Sequence, residues 1–164
     1  MPFAARGVVV CAVAALLAGC SAGPVEIDAP DLSSSDADAC RRLVDSLPET
    51  LAGQERRETT GDSAYGAAWG DPAIIVTCGV GEPADLTAGA NCVEVDDAAW
   101  FVPEDVMAAA SEGDQDVDVT ATEVNHRPRI ELRLPSDYRP DGFGNATGAL
   151  TKVISRELER VGGC

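Results

Sequence analysis

The chain has one histidine, His126, so a nucleophilic site of the Ser-His-Asp or Cys-His kind would have to use it. No Gly-x-Ser-x-Gly segment accompanies it, and its neighbours Asn125, Arg127 and Pro128 place it in a turn. Asp114, Asp116 and Asp118 alternate as in the first half of a calcium loop. The pattern then departs from that loop, with Val119 where glycine is required and Asn125 where the closing acid should stand. Asp96–Asp97 and Glu104–Asp105 are adjacent carboxylates of the kind a hydrolase pairs as acid and base. The chain holds 28 acids, so such neighbours arise by composition alone. Arg56, Arg57, Arg127 and Arg129 could line an anion site, but surface pairing with the many acids is the simpler expectation. Gly79-Val80-Gly81 runs into Glu82-Pro83, which cannot open a helix over a phosphate. These readings assign no catalytic residue, metal or cofactor. Trp69 and Trp100 read as core residues.

The thiols are more informative. Arg6 precedes an apolar run from Gly7 to Ala18, which contains no acid. About 12 apolar residues are too few to cross roughly 30 Å of hydrocarbon, but they suit the central region of an export signal. Leu17, Ala18, Gly19 and Cys20 follow. This segment resembles the lipobox of bacterial prolipoproteins. The resemblance implies a diacylglyceryl group, bearing palmitate or a similar acyl chain, on the Cys20 sulfur, and cleavage just before it. Two acyl chains supply the double signal that stable anchoring needs. The expected organisation is a removed signal over residues 1–19, a lipidated flexible tether over 20–35 and one globular domain over 36–164. The expected location is the extracytoplasmic face of the cell membrane.

With Cys11 removed and Cys20 acylated, Cys40, Cys78, Cys92 and Cys164 remain. An even number in an exported domain reads as two disulfides. Three connectivities are possible. Cys78–Cys92 would close a short loop between strands, and Cys40–Cys164 would staple the first helix to the end of the last. No CxxC spacing points to zinc or redox chemistry. The mature chain would hold 11 basic against 28 acidic residues, a net charge of −17. Such a surface repels phosphate backbones, which argues against nucleic acid as a partner.

The elements that must position these residues follow from periodicity. A helix is expected from about Ser35, with Asp38 as its capping acid and Cys40, Leu43, Val44 and Leu47 on one stripe, ending at Pro48. Residues 52–68 read as loop, with a short edge strand near Arg57–Thr60. The turn Trp69-Gly70-Asp71-Pro72 leads into a buried strand over residues 73–78. After a loop over 79–91, a strand begins at Cys92. Trp100-Phe101-Val102 is expected to continue it past a bulge, and residues 103–111 are left as helix or loop.

Residues 117–124 and 129–134 form the clearest hairpin, with Ala121 opposite Leu132 and Val119 opposite Leu134. A last helix over 146–161 carries Leu150, Val153, Ile154, Leu158 and Val161 on one stripe. The economical fold is a two-layer α+β domain, an antiparallel sheet of four to five strands with the N- and C-terminal helices packed on one face.

The stretch from Ala67 to Val80, with Trp69-Gly70-Asp71-Pro72 and Cys78-Gly79-Val80, resembles a domain-of-unknown-function family of small actinobacterial membrane proteins and lipoproteins. Cys40-x-x-Leu43, Leu47-Pro48, Arg56-Arg57 and the late hairpin and helix add to the likeness, which covers about residues 38–162. The resemblance implies export in an actinobacterium and brings no activity or functional residue. The functional expectation is a non-catalytic accessory domain that binds another envelope protein or a small ligand. The alternative is a carboxylate-dependent cell-wall hydrolase.

Overall fold

A computed structural model describes residues 23–90, 92–162 and 164. In chain order the elements are β1 (Val25–Ile27), α1 (Ser34–Ser46), β2 (Thr50–Leu51), β3 (Gln54–Arg57), β4 (Thr59–Gly61), β5 (Gly66–Trp69) and β6 (Ile74–Val80). Then come β7 (Cys92–Val95), β8 (Ala98–Phe101), α2 (Glu104–Ser111), β9 (Val119–Glu123), β10 (His126–Arg127), β11 (Arg129–Leu134), α3 (Asp141–Glu157) and β12 (Glu159–Arg160). A single 3-10 turn, Ser136–Tyr138, precedes α3.

The class is α+β, but the sheet has eight strands, in the order β2-β3-β5-β6-β11-β9-β8-β7, and all its pairings are antiparallel. The additional strands come from two places. Residues 52–68, expected as loop with a short edge strand near Arg57–Thr60, instead supply β3, β4 and most of β5, and β2 lies just before them. Their sequences are either wholly polar, as in Gln54-Glu55-Arg56-Arg57, or wholly small and buried, as in Gly66-Ala67-Ala68, so neither shows the alternation that marks a strand. The second place is residues 92–101. There Ala98–Phe101 does not continue β7 past a bulge but folds back on it, pairing Val95 with Ala98 and Cys92 with Phe101. Asp96 adopts φ 53° in the turn, a left-handed geometry that Asp tolerates better than most residues.

The late hairpin has the expected register, Ala121 opposite Leu132 and Val119 opposite Leu134. Its inward residues join Ile74, Val76, Cys78, Ala67, Trp69, Ala98 and Trp100 in one buried cluster with Cys40, Leu43 and Val44 of α1 and Leu150, Val153 and Ile154 of α3. Trp69 and Trp100 are fully buried, and each indole N–H has a partner, Pro48 O at 3.0 Å and Thr151 Oγ1 at 3.4 Å.

Helix α1 begins at Ser34, two residues earlier than the expected cap implies. Ser33, not Ser35, is the cap, accepting from Asp36 N–H at 3.2 Å while its hydroxyl donates to the Asp36 carboxylate. At its other end α1 has no basic residue in the last turn. Arg56 reaches over from β3 to donate to the Val44 and Leu47 carbonyls (3.2 and 3.3 Å), with its guanidinium 5.8 Å from the Trp69 ring centroid. Helix α3 starts at Asp141 rather than 146, its first turns hidden by Gly142 and Gly144, and it ends at Glu157. Leu158 then turns extended, so Val161 lies on the surface at 51% exposure rather than on the apolar stripe.

The four cysteines pair as Cys40–Cys78 and Cys92–Cys164, with Cα separations of 5.5 and 6.3 Å. The expected Cys78–Cys92 and Cys40–Cys164 pairing is therefore overturned. The reason is topological. Cys78 faces the core directly beneath α1, where Cys40 lies. Cys92 lies on the sheet's other face, on the edge strand four strand spacings away, about 19 Å. A disulfide cannot bridge more than about 7 Å between Cα atoms.

The segment expected as a flexible tether is also partly built into the domain. Val25–Ile27 pairs in parallel with Thr59–Gly61, and Ile27 is buried. Ile27 rests over β5 at Gly66, where a Cβ would come within 2.7 Å of Ile27 Cγ2 and of Val76 O. Only glycine admits that approach.

Candidate functional site

The side chains of β8 alternate between the two faces of the sheet. Trp100 points into the main core, and Phe101 points to the opposite face, beside Thr122 of β9 and Cys92 of β7. That second face carries its own small cluster of Ala99, Phe101 and Val124, against which Leu86 and Ala90 pack from the connection between β6 and β7. Two tight turns shape this connection, Leu86 N–H to Pro83 O and Ala90 N–H to Thr87 O. Beyond Phe101 the chain leaves the sheet through Val102 and Pro103 and enters α2. Glu104 and Asp105 occupy the first turn of α2, where carboxylates suit the helix dipole. Val106 anchors the helix inward, while Met107 is left 38% exposed.

Between the connection and α2 lies an open groove of about 830 Å³. Its apolar surface comes from Phe101, Val102, Pro103, Met107, Ala90 and Ala108. The charged residues lining it are Asp85, Glu104 and Asp105, and no basic residue is among them. A second depression of about 300 Å³ shares Phe101 and Pro103 and adds Thr120, Thr122, Glu82 and Glu131. Phe101 and Pro103 lie on the floor of both, and because Arg129 and Arg133 pair with Glu82 and Glu131, the acidic rim is that of Asp85, Glu104 and Asp105. Such a surface favours a partner that is apolar and cationic. Sequence reading missed this site.

His126 lies in the connection between β9 and β11, where the sequence places it, but it is buried. It is 1% exposed and stands in β10, paired with Glu159–Arg160 of β12. Its Nδ1 lies 3.1 Å from Glu123 Oε1, and its Nε2 faces Asp97 Oδ2 at 4.0 Å. Glu123 is completely buried and also accepts backbone N–H bonds from Ala99 (3.3 Å), Asn125 (3.0 Å) and His126 (3.0 Å). The Ser155 hydroxyl donates to Asp97 and holds its carboxyl below the usual range, against a smaller opposing effect of burial. In a hydrolytic triad the nucleophile's oxygen must meet an imidazole nitrogen. Here both nitrogens face carboxylates, and Ser155 bonds to Asp97 and the Thr151 carbonyl instead. The cluster acts as a lock, fixing the 123–126 turn to the C-terminal segment, whose Val161 N–H donates to Asn125 O at 2.7 Å.

The other sequence candidates are dispersed. Asp96–Asp97 precedes β8 and Glu104–Asp105 follows it, so the two carboxylate pairs do not meet. Asp114 accepts from Asp116 N–H and Asp118 from Ser136 N–H. Among the described residues, no three His, Cys, Asp or Glu side chains come together in a way that could hold a metal ion. Arg56 and Arg57 bond to carbonyls at the β3 end of the sheet, Arg127 to those of Val124 and His126, and Arg129 pairs with Glu82. They form no common anion site. Leu17, Ala18, Gly19 and Cys20 lie outside the described residues. No described helix is long and apolar enough to cross a membrane.

Fold and groove together define a disulfide-linked α+β domain with an acidic, apolar-floored cleft. The chain belongs to the family described as protein of unknown function (DUF3515), whose model matches residues 2–161. Comparison with curated proteins gave no match, and comparison with solved structures gave none.

Proposed function

We propose that the protein is a lipid-anchored binding domain of the cell envelope. In this reading it is acylated on Cys20 at the outer face of the membrane, as in exported actinobacterial lipoproteins, and takes a cationic, partly apolar segment of another envelope protein into the groove beside α2. Support for the anchor is the apolar run ending in Leu17-Ala18-Gly19-Cys20, together with two cysteine pairs at disulfide distance in the domain that follows. The observation that carries the binding role is the groove itself. Met107 and Phe101 offer apolar contact, while Asp85, Glu104 and Asp105, which form no ion pair among the described residues, give it negative charge. Apolar centres supply affinity and charged rims supply encounter rate and choice of partner.

A photoreactive amino acid at Met107, in cells expressing the full chain, tests this reading. The expected result is a discrete cross-linked product that disappears when Glu104 and Asp105 are both changed to Lys. Cross-linking at Met107 no greater than at exposed Asp137, which lies outside the groove, would overturn it.

A further inference from the structure

The first described residues are already fixed to the fold. Gly23 O accepts from Arg57 Nη2 at 2.5 Å, and Val25 N–H donates to Glu58 O at 3.0 Å. Val25, Glu26 and Ile27 then run beside β4, with Ile27 seated over Gly66. Whatever conformation the intervening residues take, Cys20 lies at most about 11 Å from Gly23. A domain on a long free linker would sample all orientations over the bilayer, but a leash this short cannot.

The attachment point also has a definite place in the sheet. Arg57 ends β3, next to one edge of the sheet, and the chain then enters β4, which pairs with β1 in a separate two-stranded sheet. The groove beside Phe101 and α2 sits at β8, five strand spacings across, or about 24 Å.

We infer that the domain stands edge-on against lipid headgroups, with the surface around Gly23, Glu58 and Asp71 against the bilayer and the groove presented away from it. The inference rests on the acylation of Cys20 in the proposed function. Exposed Glu58 and Asp71 outweigh the half-buried Arg57 at this surface, so it has no charge attraction for anionic lipid. Proximity is imposed by the leash, and the orientation holds on zwitterionic lipid as well. The consequence for function is reach. The groove meets partners from the wall side, or on neighbouring proteins that rise well above the headgroups.

The test uses the acylated full-length protein in phosphatidylcholine vesicles that carry a spin label on the headgroup. Single fluorescent amino acids replace Glu58, Asp71, Asp85 or Asp105, all exposed positions. Probes at 58 and 71 are expected to be quenched several-fold more strongly than those at 85 and 105. Inserting about 15 Gly/Ser residues before Gly23 adds about 20 Å of root-mean-square reach and should erase the difference. Equal quenching at all four positions on an acylated chain, or a contrast that survives the insertion, overturns the orientation and leaves lipid anchoring intact. A chain that purifies without acyl groups and does not sediment with vesicles overturns both.

Discussion

Glu123 is the residue whose removal should cost the fold most for its size. Its carboxylate is fully enclosed and serves four donors, the N–H groups of Ala99, Asn125 and His126 and the His126 ring at Nδ1. Glu123→Ala strips all four of their acceptor and leaves a cavity between β8 and β9. Breaking a buried charged partnership in this way costs about 3–5 kcal/mol. For a domain of this length that corresponds to a fall of about 10 °C in Tm. Glu123→Gln keeps the shape and one acceptor oxygen but turns an amide N–H₂ toward backbone donors, so about 1–3 kcal/mol is expected. His126→Ala leaves the carboxylate its three backbone partners and should cost less than Glu123→Ala. Denaturant unfolding of purified protein with both disulfides intact measures all three. Hydrogen exchange at Val161, which donates to Asn125, should quicken most in Glu123→Ala. A Glu123→Ala protein within about 0.5 kcal/mol of the parent, the spread of ordinary surface substitutions, would refute the reasoning.

Peptide mapping without reduction should yield Cys40 linked to Cys78 and Cys92 linked to Cys164. With separations of 38 and 72 residues, loss of either bridge should lower stability by about 4 kcal/mol in the chain-entropy account, and a linked 78–92 peptide would contradict the topology. Arg56→Lys should cost about 1 kcal/mol despite keeping the charge, because one ammonium cannot serve both the Val44 and Leu47 carbonyls as the guanidinium fork does, and thermal unfolding reads it. Asp97 has a folded pKa below its unfolded value of about 3.9, so the stability it lends is present above that pH and is lost as pH falls through the folded value. Ser155→Ala should raise the Asp97 pKa toward the ordinary value in an NMR titration, and an unchanged pKa would show that the hydroxyl is not the cause.

The parts of the fold legible in the sequence were those with one wet and one dry face. Residues 117–122 and 129–134 alternate apolar with polar in sequence, so the hairpin register follows from parity alone. The Cys40-Leu43-Val44 stripe locates α1 for the same reason. Periodicity failed where both faces are dry or both are polar. Ala98–Phe101 and Gly66–Trp69 are buried throughout, and Gln54–Arg57 has no apolar residue. The disulfides escaped because pairing depends on which face each cysteine occupies, and Cys92 could not be placed until β7 and β8 were known to form a hairpin. Glu123 was readable in principle. It continues the inward parity of Val119 and Ala121, and a carboxylate on a buried face must have partners. The groove was not readable, since it joins residues 85–90 to α2 only after the sheet has brought both to Phe101.

Everything proposed about where this domain works depends on the Cys20 sulfur. Growing producing cells with radiolabelled palmitate and isolating the protein tests it directly. The account predicts label on the full chain, and neither label nor membrane fractionation in Cys20→Ser. An unlabelled protein, or a serine variant that still fractionates with membranes, contradicts it.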